Sequence, residues 1–220
     1  MSVEPATYKA QLKDAELRKA VAEAEEAEHS AVIKRIVRQD HELADSIEKA
    51  GDHFNSVFKL YGEVRDESIV AVENGLLPWS RRHPGEPLTL RLYSPGGDLR
   101  WGYVLFDTLR TLRDSGHHLT IVVRGMAASM GAVLLQAADK RVVGREAMIM
   151  IHEVASLAWG KSSEIKDQAQ LMDRLTRRTA EILSERSNKT PDEILEMMDR
   201  KDVWLSAQEA IDIGLADEIG

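Results

Sequence analysis

The sequence contains no cysteine and no long uninterrupted hydrophobic run. Without cysteine, neither a disulfide framework nor a thiol nucleophile is available to the protein. A membrane-spanning helix needs about 20 consecutive apolar residues, and no segment approaches that length. The N-terminal region also lacks the apolar core of a secretory signal peptide. We therefore predict a soluble protein without a membrane partner, located in the cytoplasm.

Basic residues are fewer than acidic ones: the sequence has 29 Lys and Arg against 37 Asp and Glu, and the formal net charge is −8. This balance argues against nucleic acid as the main partner, since a phosphate backbone attracts a surplus of basic side chains. The sequence has no His, Asp and Glu cluster with metal-ligand spacing, so we predict no metal and no cofactor. At 220 residues and 43% hydrophobic content, the chain can bury one substantial core.

Proline and glycine are absent from residues 8–50, which are rich in Ala, Glu, Lys and Arg, the composition of a long helix. Gly51 marks a predicted end of this helix. We therefore predict a charged helical N-terminal arm over residues 1–52 and a separate main domain over residues 53–220. The arm can be interpreted as a solvated helix with one packed side, or as a segment that binds a partner.

From residue 57 onward, short apolar strands alternate with helical patterns, which predicts an α/β domain with a largely parallel sheet. Residues 57–61 are predicted as a strand, and residues 164–185 as a long helix. The segment 77–87 contains three prolines and is predicted as a loop. The capping boxes at 190–193 and 206–209 predict the starts of two short helices.

One serine among small residues is the most informative feature of the chain. The segment Gly-Met-Ala-Ala-Ser-Met-Gly-Ala (residues 125–132) lies between the apolar runs 119–123 and 133–135, which predicts a strand, a tight turn and a helix. Ser129 stands at the turn, where the N–H groups of a helix start can stabilise an oxyanion. The segment is a variant of the Gly-x-Ser-x-Gly nucleophile turn rather than a match to it.

Three other pieces of sequence could complete a site around this serine. Ser-Pro-Gly-Gly at 94–97 follows a strand pattern and, taken alone, reads as an ordinary β–α turn. His152 ends the apolar run 148–151, and Asp202 lies in Lys-Asp-Val-Trp-Leu. Taken singly, the histidine reads as a core residue and the aspartate as a surface carboxylate. Together with Ser129 they could supply a nucleophile, a general base and an orienting carboxylate.

Four blocks in this order resemble the proteolytic subunit of the Clp protease, the ClpP family: S-P-G-G, G-M-A-A-S-M-G-A, M-I-H-E and D-V-W-L-S-A-Q-E-A-I-D-I-G-L-A-D. The resemblance covers about residues 56–219. It implies a ClpP/crotonase-like spiral of β–α units with a protruding handle helix, to which the N-terminal helical arm is an addition.

The same resemblance implies a serine endopeptidase and gives a role to seven positions. The catalytic triad would be Ser129, His152 and Asp202. The oxyanion hole would be formed by the N–H groups of Gly97 and Met130. A substrate strand would pair through backbone hydrogen bonds with Asp98 and Leu99.

Assembly and partners are also implied by the resemblance. ClpP subunits form heptameric rings that stack through the handle region and enclose the active sites, where peptides or proteins are cleaved. An AAA+ unfoldase is the implied partner, but the aromatic positions of the family's docking clefts are here Thr89 and Arg91, a poor apolar socket. The chain has no G-x-x-x-x-G-K-[ST] motif and so cannot itself power unfolding.

Three alternative functions remain open at the level of sequence. A phage capsid or prohead maturation protease of the ClpP type would need no unfoldase, and a charged arm would suit docking on a shell. A crotonase-fold acyl-CoA enzyme could use Glu153 or Glu146 as its base, but it would leave the three triad residues unexplained. A non-catalytic ring subunit would lack a triad member, and none is missing.

Overall fold

The structure is a computed structural model that describes residues 56–156 and 159–220, together with seven single positions between residues 19 and 38. The chain divides into two compact units, Met1–Gly51 and Asp52–Gly220. In the first unit, all seven described positions are helical. The rest of the predicted arm lies outside the described residues. Within the described part of the chain, no helix combines the length and apolar character needed to cross a membrane.

The second unit alternates short strands with helices. Its strands are β1 (Val57–Tyr61), β2 (Leu88–Ser94), β3 (Leu119–Ala128), β4 (Lys140–Val143), β5 (Met148–Ile151), β6 (Val203–Ser206) and β7 (Glu218–Ile219). Its helices are α1 (Asp66–Arg82), α2 (Leu99–Asp114), α3 (Met130–Leu135), α4 (Ser162–Ser184), α5 (Pro191–Met198) and α6 (Ala207–Asp212).

All strands belong to one sheet, whose main path runs β1-β2-β3-β4-β7 with parallel neighbours throughout. Strand β5 also pairs in parallel with β3, and β6 pairs with β5 in the antiparallel direction. The predicted α/β fold with a largely parallel sheet is therefore confirmed. The single antiparallel pair, β5–β6, is the feature that completes the site described below.

Strand β3 joins the two parts of this sheet by changing its partner halfway along. Residues 120–123 pair with β4, whereas residues 126–128 pair with β5. Gly125 lies between these stretches with a φ of 75°, and the ring of Tyr93 would lie 3.0 Å from a Cβ at this position. A glycine is needed here because both the backbone conformation and the close aromatic ring disfavour a side chain.

The core fills the space between the sheet and the helices packed on it. Strand β2 alternates buried and more exposed positions, with Leu88, Leu90 and Leu92 facing inward. Each such side chain contributes about 1.5–3 kcal/mol when fully buried. Helix α4 differs, because its buried residues are confined to its C-terminal end: Thr179, Ala180, Ile182 and Leu183. Its preceding turns are mostly exposed.

The predicted loop over residues 77–87 is wrong for its first half, because α1 continues through Pro78 to Arg82. A proline inside a helix normally costs about 3 kcal/mol through a lost hydrogen bond and a clash. Here Leu76 and Trp79 on either side of the proline are buried, and the Trp79 ring packs edge-on against Phe58 at 5.6 Å. Tertiary packing therefore overrides the local signal, and only residues 83–87 connect α1 to β2.

Candidate active site

Ser129 lies between the last residue of β3 and the first residue of α3. Its φ of 53° and ψ of −118° are unusual for a residue with a side chain, and such strain persists only where neighbouring contacts hold it. Three backbone hydrogen bonds do so: its N–H donates to Met150 O at 2.8 Å, and its C=O accepts from the N–H groups of Ala132 at 3.0 Å and Val133 at 3.3 Å. The turn thus holds the serine hydroxyl in a fixed place.

His152 reaches Ser129 because β3 and β5 are parallel neighbours. Ala128 stands opposite Met150 in this pair, so the residues that follow the two strands emerge at the same edge of the sheet. The Nε2 atom of His152 lies 2.8 Å from Ser129 Oγ. This distance is within hydrogen-bonding range, the first geometric requirement for a nucleophile and its base.

Asp202 reaches His152 because β6 runs antiparallel to β5. Val203, the first residue of β6, stands opposite Ile151, the last residue of β5, so the neighbouring Asp202 and His152 are brought together. The Oδ1 atom of Asp202 lies 3.3 Å from His152 Nδ1. The carboxylate side chain is 59% exposed, compared with 26% for the imidazole. The structure therefore brings all three predicted triad residues into one chain of contacts.

The Ser-Pro-Gly-Gly loop packs directly against the serine. A Cβ at Gly96 would lie 2.6 Å from Ser129 Cβ and 2.9 Å from Ala128 O, so no side chain fits there. A Cβ at Gly97 would lie 2.3 Å from Val64 O, on the opposite side of the loop. Both glycines have positive φ, 99° and 142°. The paired glycines are therefore required by close approach as well as by backbone conformation.

The predicted oxyanion donors, Gly97 and Met130, both line the same cavity as Ser129 and His152. Val64 is bridged to this loop by its N–H to Gly96 O and by its C=O to Asp98 N–H, so the N–H of Gly97 points the other way. Met130 is the first residue of α3, where no acceptor within the helix exists for its N–H. Among the described residues, the backbone hydrogen bonds of turns, loops and caps include none that is donated by the N–H of Gly97 or Met130.

Asp98 lines the cavity as well, but its backbone is already used by the fold. Its N–H donates to Val64 O at 2.7 Å and its C=O accepts from Gly102 N–H at 3.0 Å. Both backbone groups of Asp98 thus make hydrogen bonds within the fold, and its predicted pairing with a substrate strand stays a prediction. The neighbouring Leu99 also lines the cavity, and its predicted pairing stays a prediction.

The side chain of Asp98 caps helix α2. Its Oδ1 accepts from the N–H groups of Arg100 and Trp101, and the Arg100 guanidinium lies 2.8 Å from Oδ2. The hydrogen bond from the Arg100 side chain, aided by the two backbone N–H groups, lowers the pKa of Asp98 to about 2. The carboxylate is thus ionised at neutral pH and fixes the start of α2 directly after the glycine loop.

Beside the serine, a cavity of about 760 Å³ opens between the loop segments and helices α3 and α4. The sequence analysis did not identify the residues that line its far wall. They are Tyr103, Val133, Leu171, Met172, Leu175, Thr179 and Leu183. Those on α4 recur at helical spacing, which indicates that they share one face of a helix. The spacing does not indicate that this face lines a cavity.

Two supporting contacts of the site were also missed. The buried hydroxyl of Ser94 accepts a hydrogen bond from Gly96 N–H at 3.1 Å and so shapes the glycine loop. A Cβ at Gly102 would lie 2.2 Å from the side chain of Met130, so the glycine makes room for that residue. The contact of Gly102 with Met130 has no local sequence signal, because it joins two separate helices, whereas the Ser94–Gly96 hydrogen bond spans only two positions and was overlooked.

The arrangement can activate a hydroxyl for attack on a carbonyl and has two backbone donors nearby. Among the residues that the structure describes, no group of three or more His, Asp and Glu side chains is placed to hold a metal ion. Thr89 and Arg91 lie away from this site, on the outward-facing side of β2 beside Lys59 of β1.

Comparison with known proteins gives a consistent result. A family model described as Clp protease matches residues 37–220, so the shared region begins inside the predicted arm rather than near residue 56. The chain is 36% identical over 162 residues to "ATP-dependent Clp protease proteolytic subunit 1" of Leifsonia xyli subsp. xyli (strain CTCB07), covering 73% of this chain and 80% of the relative.

A second relative is "ATP-dependent Clp protease proteolytic subunit 2" of Cutibacterium acnes (strain DSM 16379 / KPA171202), 32% identical over 167 residues, which cover 75% of this chain and 77% of that protein. The family model and both relatives thus agree over most of the chain. The chain therefore belongs to the Clp protease family, a family of serine peptidases.

Proposed function

We propose that this chain is a serine endopeptidase that cleaves peptide bonds with Ser129 as nucleophile, His152 as general base and Asp202 as orienting carboxylate. The observation that carries the proposal is the 2.8 Å contact between His152 Nε2 and Ser129 Oγ at a strained turn. Strain of this kind costs about 1–3 kcal/mol and is concentrated at functional sites. An isolated structural serine would have no need of it.

The proposed reaction begins with the attack of Ser129 Oγ on the carbonyl carbon of the scissile bond. The hydroxyl proton passes to Nε2 of a neutral His152, whose Nδ1–H faces Asp202. When the C–N bond breaks, the leaving amine takes that proton from His152 and an ester of Ser129 remains. A water molecule then gives a proton to His152 and attacks the ester. As the ester bond breaks, His152 passes that proton to Ser129 Oγ, which releases the acid and restores the serine and the neutral imidazole.

The N–H groups of Gly97 and Met130 are proposed to hold the negative oxygen of the tetrahedral intermediate. Removing one such donor costs about a hundredfold to a thousandfold in rate in serine peptidases. Both donors are backbone groups, so their positions depend on the close packing of the glycine loop against Ser129. The proposal therefore makes the packing of Gly96 a condition of catalysis.

We further propose that the chain assembles into rings, as the ClpP resemblance implies, so that the active sites face an enclosed chamber. The exposed N-terminal turns of α4 support a role as the handle, because an unpacked helix face is available for another subunit. Both relatives are named as ATP-dependent. An ATPase partner of this chain would meet Thr89 and the exposed Arg91, so we expect a polar contact rather than an apolar one.

No specific observation favours the alternative functions over this one. In a crotonase-type enzyme Glu153 or Glu146 would be the base, whereas the contact to Ser129 is made by His152. A phage maturation protease would use the same site on another substrate, and that possibility stays a hypothesis about the substrate. The catalytic proposal is common to both peptidase readings.

The test is labelling with a fluorophosphonate probe followed by intact-mass analysis and peptide mapping. We expect one probe per chain at Ser129, no labelling in Ser129→Ala, and strongly slowed labelling in His152→Ala. Ser115→Ala, which changes an exposed serine at the end of α2 that does not line the cavity, is the serine control and should still be labelled at Ser129. Labelling of another residue, or equal labelling of wild type and His152→Ala, would contradict the proposal.

A further inference from the structure

The two backbone N–H groups of the proposed oxyanion hole belong to segments that are far apart in the sequence. Gly97 lies in the loop between β2 and α2, and Met130 begins α3 directly after Ser129. Such donors act only when both lie within hydrogen-bonding distance of the developing negative charge. The rate would therefore depend on how the two segments are held against each other.

The first turn of α2 is tied to the glycine loop by hydrogen bonds. The N–H of Asp98 donates to Val64 O at 2.7 Å, and its C=O accepts from the N–H of Gly102 at 3.0 Å. The Asp98 carboxylate also accepts from two further N–H groups of this turn. Gly102 is therefore held at a fixed place relative to the N–H of Gly97.

Gly102 packs against the side chain of Met130. A Cβ at position 102 would lie 2.6 Å from Met130 Sδ and 2.7 Å from Cε, and closer still to Cγ. Cβ atoms do not approach other heavy atoms this closely, so the thioether occupies the space that any side chain at position 102 would need. Gly102 is buried and Met130 is 3% exposed. Because Cγ is separated from Cα by Cβ alone, a group that displaces Cγ also shifts the backbone of Met130.

A glycine inside a helix needs an explanation, because it lowers helix stability relative to alanine. Gly102 lies within α2 and its φ is not positive, so the backbone conformation of the helix does not require it. The Met130 side chain supplies the reason, since it fills the space beside the Gly102 Cα.

Two other glycines join the same pair of segments. Gly96 packs against the nucleophile, and a Cβ at Gly131 would lie 3.3 Å from Cβ and O of Ser94. The close approach at Gly102 differs from these, because it involves the side chain of a residue whose own N–H is a proposed donor. A change at Gly102 therefore acts on the oxyanion hole through Met130.

We propose that Gly102 is a positioning residue for catalysis: by accommodating the Met130 side chain against α2, it fixes the N–H of Met130 relative to the N–H of Gly97. Among the described residues, Gly102 is not one of those that line the active-site cavity, so it acts through Met130 rather than on the substrate. The first turn of α2 and the start of α3 then set both donors as one unit. This inference rests on the proposed peptidase function and adds a residue to it.

The experiment compares Gly102→Ala with Gly75→Ala, which replaces a glycine inside α1 that does not line the cavity. Hydrolysis of a coumarin amide of Ala-Ala-Met gives kcat and KM, and thermal unfolding reports whether each variant is folded. Gly102→Ala should lower kcat about a hundredfold and leave KM within about threefold, because a misplaced donor affects the transition state more than the bound substrate. Gly75→Ala should leave both values near wild type.

Labelling gives a second readout that does not depend on the peptide. The phosphoryl oxygen of the fluorophosphonate probe occupies the oxyanion hole when Ser129 attacks phosphorus and displaces fluoride, so Gly102→Ala should also slow labelling about a hundredfold. If the wild-type protein is labelled at Ser129 and Gly102→Ala stays within about threefold of its kcat and labelling rate, this inference alone is overturned. No labelling of the wild-type protein would instead overturn the peptidase proposal.

A double variant tests whether the effect passes through Met130. Met130→Ala keeps the backbone N–H and removes the side chain that the new methyl group would meet. In this background, Gly102→Ala should lower kcat by less than about threefold. The same loss in both backgrounds would show that Gly102 acts by another route and would overturn the inference. A raised KM with an unchanged kcat would also overturn it, because the Met130 side chain would then have moved into the cavity.

If Gly102→Ala does not fold, Met130→Ala decides the question on its own. Without its packing against Gly102, the N–H of Met130 is no longer held in place, so kcat should fall about tenfold in a protein that still unfolds cooperatively. A wild-type kcat in Met130→Ala would overturn the inference.

Discussion

Two aspartates of this protein stand in comparable places and do different things. Asp202 directly precedes β6 and faces His152, whereas Asp217 directly precedes β7 and faces Arg141. Asp202 Oδ1 lies 3.3 Å from the imidazole and its side chain is 59% exposed. Asp217 Oδ1 lies 2.5 Å from the Arg141 guanidinium, which is only 3% exposed, and Asp217 also accepts from the Arg141 N–H and from Arg186.

The two carboxylates differ in the burial of the partner that each one faces. Arg141 is a buried cation that also donates to Gln136 Oε1 and Gly214 O, and its charge requires an anion close by. Removing Asp217 would leave that charge uncompensated. The Asp202 carboxylate is 59% exposed, and polar contacts of exposed side chains contribute little to stability. Its position can therefore be optimised for orienting His152 rather than for holding the fold.

The largest effect expected from this comparison is on catalysis. Asp202→Asn should lower kcat by about a thousandfold, because an amide neither fixes the imidazole tautomer nor stabilises the imidazolium. The melting temperature should stay within about 3 °C of wild type, since the Asp202 carboxylate is mostly exposed. Peptide hydrolysis and thermal unfolding measure the two quantities. Asp192→Asn is the control, because it also removes an exposed carboxylate, in this case one that is paired with Arg177. It should change neither kcat nor the melting temperature.

The converse variant should act on stability. Asp217→Asn should lower the free energy of unfolding by about 3 kcal/mol, because it leaves the Arg141 charge buried without its partner. Thermal and denaturant unfolding give this quantity, and kcat per labelled Ser129 should remain near wild type. Glu218→Gln breaks the adjacent exposed pair with Lys140 and should cost less than about 1 kcal/mol. Equal losses in the two variants would show that burial does not distinguish these carboxylates.

A third prediction concerns the glycine loop, which joins structure and chemistry. Gly96→Ala should lower kcat/KM by about a hundredfold, because its Cβ collides with Ser129 Cβ and Ala128 O and displaces the loop that holds the Gly97 N–H. Gly116→Ala is the matched control. Gly116 has a φ of 101°, close to the 99° of Gly96, and a Cβ there meets nothing within 4 Å. It should lose some stability and keep its activity.

The smallest expected effect is the pH dependence of the Asp217 contribution. Partial burial acts to raise the pKa of Asp217, but the hydrogen bonds and charge of Arg141, with the charge of Arg186, outweigh it and hold the pKa below its ordinary value of 3.8. Since the folded state has the lower pKa, the stabilisation is present above that ordinary value. It is lost as the pH falls through the lower folded value.

The stability difference between wild type and Asp217→Asn should therefore be constant from about pH 5 to 7 and shrink below about pH 4. Denaturant unfolding at a series of pH values measures it, with Glu218→Gln at each pH as the reference. A difference that grows as the solution becomes more acidic would contradict the assignment of this interaction.

Much of the fold could be predicted because its signals are local. The capping boxes at Thr190 and Ser206 form as expected, since each needs only residues three positions apart. The strand before Ser129 and the helix after it follow from apolar runs separated by small residues. The continuation of α1 through Pro78 could not be predicted in this way. It depends on the packing of Trp79 against Phe58, which belongs to a different element.

The same distinction between local signals and contacts between distant segments applies to the candidate site. The sequence placed Ser129, His152 and Asp202 at strand ends as candidates for one site, and the resemblance to the ClpP family assigned the triad to them and named Gly97 and Met130 as the oxyanion donors. The hydrogen bond from the Asp98 N–H to Val64 O was not predicted. Val64 lies far from Asp98 in the sequence, and no pattern in either segment indicates that they meet.

The sequence by itself determined the order of strands and helices, the serine at a strand-to-helix turn, the glycines beside it and the absence of thiol chemistry. These follow from side-chain size, backbone freedom and hydrogen bonds over a few residues. Only the tertiary structure decided that β6 runs antiparallel to β5, which sets Asp202 beside His152, and that α4 lays Thr179 along the cavity. The choice of partner strand and helix face depends on burying the whole apolar surface at once, and no short segment contains that information.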